Sequence, residues 1–499
     1  MTISLPKRKP GESHLDAIKR ELQENPLPEL PVVKKQETAA TTTPKTQKKP
    51  KEPKQTTEYR SELFLDGIHY EQGYDPITKS TYFIGYHNDP NFPSISKKSF
   101  LQDGDKIIRP IEDDLLKKSF IILPEKTEGY GTVAQLDTEM KEYINTWMEV
   151  NENHLEILPG YIRLTWIADK LNTIPYLRAI AEFGQGKTRY LDTIGGICRK
   201  PMFCGGAVTV APIFRIMDKW KGTLILDEFN LDENSEDTRA ILQILNQGFQ
   251  RDKGVFRCNQ DYDVDAFDPY GPKIIASKKF YKDYGFESRC ITEIIQPSSD
   301  KPVQLPKAFY EKRHELQNKL LLYRFHVVDT ISVEKLNAIN YGSLQPRIRQ
   351  TYSSLLLAYP DDNPMQTKIM LMMQERSNEM MAENTETLSG MIFNTFLLLE
   401  VTGHPDMTPK DIFDRFKGQH FGQYETLTVN VVGKILKQLG FTVTPTNIDG
   451  RTKRLVTLSE NNREKLLQRY NVEDNHLEKR IYDIVQTSFK PNKKPDEEQ

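Results

Sequence analysis

The chain has 499 residues, 37% of them hydrophobic, with 68 Lys and Arg against 70 Asp and Glu for a formal net charge of −2. Such a length can bury one large core and at least one satellite domain, while the near-neutral balance excludes a globally cationic nucleic-acid binder, so any such contact must come from local basic surfaces. The 4 cysteines, Cys198, Cys204, Cys258 and Cys290, lack the spacing of paired metal ligands and follow no apolar leader, which predicts a reduced, cytoplasmic protein. The richest apolar run, Met391 to Val401, falls short of the ~18 residues a membrane span needs, so no membrane partner is expected.

Residues 1–58 are rich in Pro, Lys, Thr and Glu and poor in aromatics, and read as a disordered basic arm with its charge concentrated in PKTQKKPKEPK. Residues 59–125, with LFLDGIHYEQGYDP and STYFIGYH, predict a small β-rich domain. A helical connector is expected over 126–174, with helices from Thr132 to Val150 and from Leu155 to Leu171. Residues 175–298 alternate strand and helix through YLRAIAE, KTRYLDTIGGIC, MFC, VAPIFRIMDKW, GTLILDE, a helix from Thr238 to Gln247, PKIIASKK and CITEII. That alternation predicts an α/β core, a parallel sheet covered by helices on both faces. A wholly helical segment, 299–384, follows.

Chemistry concentrates in the α/β core. In AEFGQGKTR a strand runs into a glycine turn and a helix opening at Lys187 and Thr188, the arrangement that aims backbone N–H groups and a helix N-terminus at phosphate oxygens. Gly184 and Gly186, with Gln185 between them, bring the backbone close; Lys187 would reach the β- and γ-phosphates and the Thr188 hydroxyl would hold Mg²⁺. Ala181 stands where the usual pattern has its first glycine. Some forty residues on, GTLILDEF delivers Asp227, an expected Mg²⁺ ligand, and Glu228, placed to polarise an attacking water. Ser277, ending the KIIAS strand, is expected to hydrogen-bond the water or the γ-phosphate. Arg289, in GFESRCITEII, is expected at a subunit edge, reaching a neighbour's γ-phosphate.

Phosphate loop, Asp-Glu pair, polar strand tip and ESR arginine, in that order, resemble the AAA+ ATPases. More narrowly, GTLILDEFN, ILNQGFQRDKGVFRC, GPKIIAS and ESRCITE are similar to the replicative helicase-type ATPases of plasmids, phages and other prokaryotic mobile elements, over about a quarter of the chain. The resemblance implies an AAA+ core with a helical lid, ATP and Mg²⁺ as cofactors, and a nucleotide-sensing lid arginine, for which Arg347 is the match and Arg349 the neighbour. It also implies a ring, hexameric in the family's manner, and a channel-facing hairpin carrying Arg251, Lys253 and Arg257 beside Phe249 and Phe256. The bland alternative for that hairpin is an exposed turn with ordinary surface charges.

Residues 385–460 place a helix over Leu388 to Val401, one capped at Thr408 and Pro409, one from Thr428 to Gly440, and two β-rich segments around a turn from Asn447 to Gly450. That order resembles a winged helix-turn-helix, with Lys434 and Lys437 on the recognition helix and Arg451, Lys453 and Arg454 on the wing, facing either DNA or protein. A helical, charged tail, 461–499, closes the chain. The expectation is a ring-shaped, ATP-dependent DNA helicase or translocase, with DNA, further copies of itself, and primase or other replication proteins as partners. Two other classes fit the same parts: an ATP-driven regulator or defence ATPase whose winged helix binds protein, and a non-catalytic DNA-binding initiator.

Overall fold

The computed structural model describes residues 56–470 and 472, apart from 89–92, 183, 207, 228–235, 260, 282, 297–300, 362, 405, 421–423, 425 and 449–450, and apart from the side chains of 237, 448 and 451. The basic cluster of the N-terminal arm, Glu228, the Arg451 side chain and most of the charged tail therefore lie outside the described residues.

The chain begins in β structure. Strands β1 (Thr56–Arg60), β2 (Glu62–Leu65), β3 (Ile68–Asp75), β4 (Ser80–His87), β5 (Ser94–Lys98), β6 (Leu101–Asp103) and β7 (Lys106–Pro110) form a three-stranded sheet, β1-β7-β6, and a four-stranded antiparallel one, β2-β3-β4-β5. Alternating apolar residues, Tyr70, Phe83, Leu101 and Ile108, make its small core. After a short helix α1 (Asp114–Lys117) come α2 (Val133–Trp147) and α3 (Glu152–Trp166), each ending earlier than the sequence pattern suggests. Helix α2 starts at a capping box, Thr132 with Gln135, and a 3₁₀ turn, Ala168–Lys170, leads out of α3.

The central layer is a five-stranded parallel sheet in the order β14-β8-β13-β10-β9, built from β8 (Tyr176–Ile180), β9 (Pro201–Cys204), β10 (Thr223–Leu226), β13 (Lys273–Ser277) and β14 (Cys290–Ile294). Every residue of β8, β10 and β13 is buried between two helical layers, including Arg178 and Lys273 among the apolar residues. Leu177, Ala179, Ile225 and Ile274 pack on the side of α2 and α3. Tyr176, Leu224, Leu226 and Ile275 pack on the opposite side, against α5 (Val210–Trp220) and α6 (Glu236–Gln247). The short helix α4 (Lys187–Tyr190) runs between β8 and β9 and continues as a π turn, Leu191–Gly195. Between α6 and β13 stands an antiparallel hairpin, β11 (Val255–Cys258) with β12 (Val264–Phe267), and α7 (Tyr284–Glu287) precedes β14. The α/β core with flanking helices is thus as the alternating sequence pattern requires.

Beyond the sheet, α8 (Lys307–Val327), a 3₁₀ turn (Val333–Ala338), α9 (Pro346–Leu356) and α10 (Pro364–Thr385) form a helical region, and α8, α9 and α10 all contribute to the larger core. Then α11 (Leu388–Val401), α12 (Pro409–Gln419) and α13 (Val429–Gln438) pack with an antiparallel ladder, β15 (Thr442–Ile448) with β16 (Arg451–Thr457), and with α14 (Glu460–Arg469), around a separate core. Thr408 and Asp411 close a capping box on α12, with Pro409 in the first turn. Val456 N–H donates to the Met407 carbonyl, adding a third segment to the edge of the ladder. Among the described residues no helix is long and apolar enough to cross a membrane.

Candidate functional site

In a parallel α/β sheet the loops at the carboxyl ends of the strands are where ligands meet the backbone, and the register gathers three sequence motifs there. Ile180, the last residue of β8, is opposite Ser277 on one side and Ile294 on the other. Leu226 is opposite Ile275, which carries Asp227 to the same edge. The turn after β8 depends on glycine: Gly184 and Gly186 hold φ of +79° and +95°, with open space where a side chain would begin, so conformation rather than crowding requires them. The Gln185 side chain closes the turn by accepting from the Glu182 N–H at 2.9 Å.

Lys187, 6% exposed, opens α4 and points back into the loop, donating to the Ala181 and Glu182 carbonyls at 2.7 Å each. No described carboxylate pairs with it, and an ammonium has three donors, so one remains for an anion. One residue on, the Thr188 hydroxyl donates to Asp227 Oδ2 at 2.9 Å. Asp227 Oδ1 is buried with no hydrogen-bond partner among the described residues. An orphaned carboxylate oxygen beside a hydroxyl fits a divalent cation that takes oxygen ligands and completes its shell with phosphate and water. Among the described residues no three His, Cys, Asp or Glu side chains gather into a metal cage. Ser277 is 1% exposed at the strand tip, and its hydroxyl donates to the Lys279 carbonyl at 3.2 Å, turned into its own loop.

A cavity of about 310 Å³ opens beside this loop, walled by Trp147, Met148, Ile295, Pro302 and Val303 and floored by Gly184 to Gly186. Arg189 ties its walls together, donating to the Trp147 carbonyl at 3.1 Å and to the Pro302 and Val303 carbonyls at 2.8 and 3.1 Å. Glu149, Gln296 and Lys301 line the cavity beside these apolar residues, and such a mixed lining suits a flat heterocycle with hydrogen-bonding edges. Trp147, Arg189 and Val303 carry no motif; the one hint in the sequence is that α2 ends in an aromatic residue. Behind the loop, Tyr190 on α4 meets His154 Nε2 at 2.8 Å. Burial pushes the His154 imidazole down to about 4, so it stands neutral and makes no ion pair with Glu293 at 3.7 Å.

Arg289, expected to reach a neighbour's phosphate, and Arg347, expected to sense nucleotide, both stand away from the glycine turn of their own chain. Arg289 lies at the amino end of the sheet, where its carbonyl accepts from the Tyr176 N–H at 2.9 Å, a strand length of roughly 13 Å from its own phosphate loop. Its guanidinium donates to Gly285 O and covers the Phe249 ring, and its Nε has no partner among the described residues. A buried pair, Arg178 with Glu287, fixes this corner to β8. Helix α9 docks on it through Thr351, whose hydroxyl donates to the Ser288 carbonyl at 2.9 Å. That docking brings Arg347 close enough that burial and the Arg347 charge together push the Arg289 guanidinium below its ordinary value. Arg347 donates to Gln350 at 2.7 Å, and Arg349 Nε is buried without a described partner. Neither Arg347 nor Arg349 makes a hydrogen bond to the glycine turn after β8 among the described residues.

The hairpin corrects two expectations. Arg251 is not free to meet a phosphate backbone: its guanidinium donates to the carbonyls of Leu171 and Ala168 at 3.1 and 3.2 Å and to that of Asp169, and it stacks on Tyr270. Phe249 is buried against Tyr176 and cannot stack on a base. Both misreadings share a cause, since charge and aromaticity are visible in a sequence while the carbonyls that surround them are not. Lys253, Arg257 and Phe256 are exposed, as is Tyr262 at the tip, at 92%. Arg257 faces Asp265 across the ladder, and Asp261 and Asp263 flank Tyr262, so the tip is not a basic surface. In the C-terminal region Lys434, Lys437, Lys453 and Arg454 are all exposed.

No family model matches the chain, and no curated protein matches it by sequence. Among solved structures the chain is similar to the NrS-1 C-terminal region, at 11% identity and a TM-score of 0.36 over 78% of this chain and 97% of that one. It is similar to a full-length MCM homolog from Methanopyrus kandleri at 9% identity and a TM-score of 0.31, over 62% and 76% of the two chains. It is also similar to JCV helicase at 13% identity and a TM-score of 0.24, over 46% and 67%.

Proposed function

We propose that this chain is an AAA+-type ATPase that assembles into a ring, hydrolyses ATP with Mg²⁺ and moves on or unwinds DNA, as the replicative helicase-type ATPases of mobile elements do. The observation that carries the reading is the hydrogen bond between Thr188 and Asp227 at 2.9 Å, with Asp227 Oδ1 left unpartnered among the described residues, beside a glycine loop and a lysine lacking a described carboxylate. Lys187 would bind phosphate oxygens and Thr188 and Asp227 would hold Mg²⁺, which offsets charge developing on the transferred phosphoryl group. Glu228, next in sequence, would accept a proton from the attacking water. The cavity bounded by Trp147 and Val303 would take the base.

Arg289 and Arg347 support the ring. Two cations crowded on a corner far from their own phosphate loop suit the phosphates of a neighbouring subunit, so each active site would be an interface. The exposed Lys434, Lys437, Lys453 and Arg454 support a winged helix that contacts DNA, whereas the acids of the hairpin tip offer DNA less there. Steady-state ATP hydrolysis with and without single-stranded DNA tests the reading. Strong stimulation is expected; a DNA-independent rate would favour a regulator, and no turnover a non-catalytic initiator. Mixing Lys187→Ala with Arg289→Ala subunits should restore part of the activity each lacks alone, and no recovery would remove the shared site.

A further inference from the structure

The β domain is joined to the ATPase core by buried charge. Glu71, on β3, is 3% exposed and receives three cations: Arg199 at 2.5 Å, Lys200 at 3.0 Å and Arg324 at 2.6 Å. Glu62, on β2, takes Lys200 at 2.7 Å and also pairs with Arg199. Arg324, on α8, turns its other edge to Asp169 at 2.5 and 3.1 Å. The cluster balances three cations with three carboxylates, and the β domain supplies two of those three. Burial alone would push the Glu71 carboxyl up, but Arg199, Lys200 and Arg324 hold it down at about 2, so it stays ionised.

Arg199 and Lys200 are not remote from the phosphate loop. They end the segment that starts at Lys187 and runs through α4, the π turn and Gly196 into β9. A π turn adds one residue to the helical ladder and is an uncommon, strained arrangement. Lys200 has φ of +43°, the left-handed region that a lysine keeps only where its surroundings impose it. Here they do: its ammonium also donates to the Ser61 carbonyl at 3.1 Å and hydroxyl at 3.2 Å, and its carbonyl leaves room for nothing larger than glycine at 222.

We infer that Glu62 and Glu71 are positioning residues for the phosphate loop: the β domain latches the far end of the segment that opens with Lys187 and Thr188, and thereby sets the loop's geometry for phosphate. This rests on the nucleotide site proposed above. Removing either carboxylate leaves a buried cation uncompensated, which a side chain held in a left-handed conformation relieves by releasing its backbone. The released segment is the one that carries the loop.

The test uses the full chain and two readouts. Hydrogen exchange without nucleotide compares residues 187–200 with strands β10 and β13 in the wild type, Glu71→Gln, Glu62→Gln and the paired variant Glu62→Gln/Lys200→Gln. ATP turnover gives KM and kcat for the same proteins. Exchange across 187–200 is expected to rise about tenfold in each single variant, with the central strands unchanged, and KM for ATP is expected to rise several-fold with kcat within about twofold. The paired variant, which removes charge from both sides, should recover much of each effect. If Glu71→Gln does not fold, Glu62→Gln, at the more exposed rim of the cluster, gives the same readouts. Unchanged exchange in 187–200, or exchange rising evenly through the sheet, overturns the latch. A wild type without ATP turnover defeats the nucleotide reading while the exchange data still decide the latch.

Discussion

Cations stand at both ends of the central sheet, Lys273 and Lys187 buried and Arg251 half-buried, and they differ in how completely they are satisfied. At the amino end Lys273 spends all three donors on the Gly248, Pro269 and Gly271 carbonyls at 3.1, 3.0 and 2.9 Å, and Arg251 is ringed by carbonyls of the 168–171 turn. At the carboxyl end Lys187 uses two carbonyls, and the carboxylate near it keeps an oxygen with no described partner. A closed set of hydrogen bonds is a finished structural job, here fastening both feet of the hairpin to the core. An open set in a buried place is costly unless a ligand completes it. The contrast holds for these lysines and not for the whole amino end, where Arg289 also keeps an Nε with no described partner.

Substitutions at the two ends should therefore fail in different ways. The largest effect is expected from Lys187→Ala, which should lower ATP turnover by about 10²–10³-fold and cost less stability than Arg251→Ala, since two carbonyls rather than three lose a charged donor. Glu228→Gln should retain nucleotide in an equilibrium binding assay and lose turnover to a similar degree; normal hydrolysis would remove Glu228 as the base. Arg251→Ala belongs to the other kind. It should cost about 1–3 kcal/mol in denaturant unfolding, because three carbonyls lose a charged donor, and should leave the salt dependence of DNA binding unaltered. If it instead flattens that dependence, Arg251 does reach phosphate and the contrast fails.

Acid provides a smaller test. Glu71 is held at about 2 in the folded chain against an ordinary 4.5, so its contribution is fully present above about pH 4.5 and disappears as pH falls toward about 2. Unfolding free energy of the wild type should decline across that window more steeply than that of Glu71→Gln; parallel curves would contradict the burial of this carboxylate among cations. The smallest effect is expected from Lys453→Ala/Arg454→Ala, which should weaken DNA binding evenly across sequences and reduce the salt slope by about 1 for each phosphate left without its cation.

These regions also differ in how far they are legible in the sequence. The phosphate loop, the Asp227 strand end and the Ser277 strand tip are local signals, each carried by a strand that runs into a turn, and parallel pairing brings three such turns to one edge. The helices and caps at Thr132, Thr408 and Thr428 are legible for the same reason. What a sequence does not display is a partner distant along the chain. Arg199 and Glu71 are 128 residues apart, and neither belongs to a pattern. The cavity wall joins Trp147 to Val303, apolar residues that read as ordinary core. Arg251 shows its charge but not the carbonyls around it, and Arg347 shows an arginine on a helix but not which end of the sheet that helix meets.

The most direct measurement is Mg²⁺-dependent ATP hydrolysis by the full chain beside Lys187→Ala and Asp227→Asn. The wild type should turn over ATP, and both variants should lose that turnover while their folds persist by circular dichroism. Equal turnover in all three proteins, or none in the wild type with Mg²⁺ and ATP in excess, would contradict a phosphate site built on Lys187, Thr188 and Asp227.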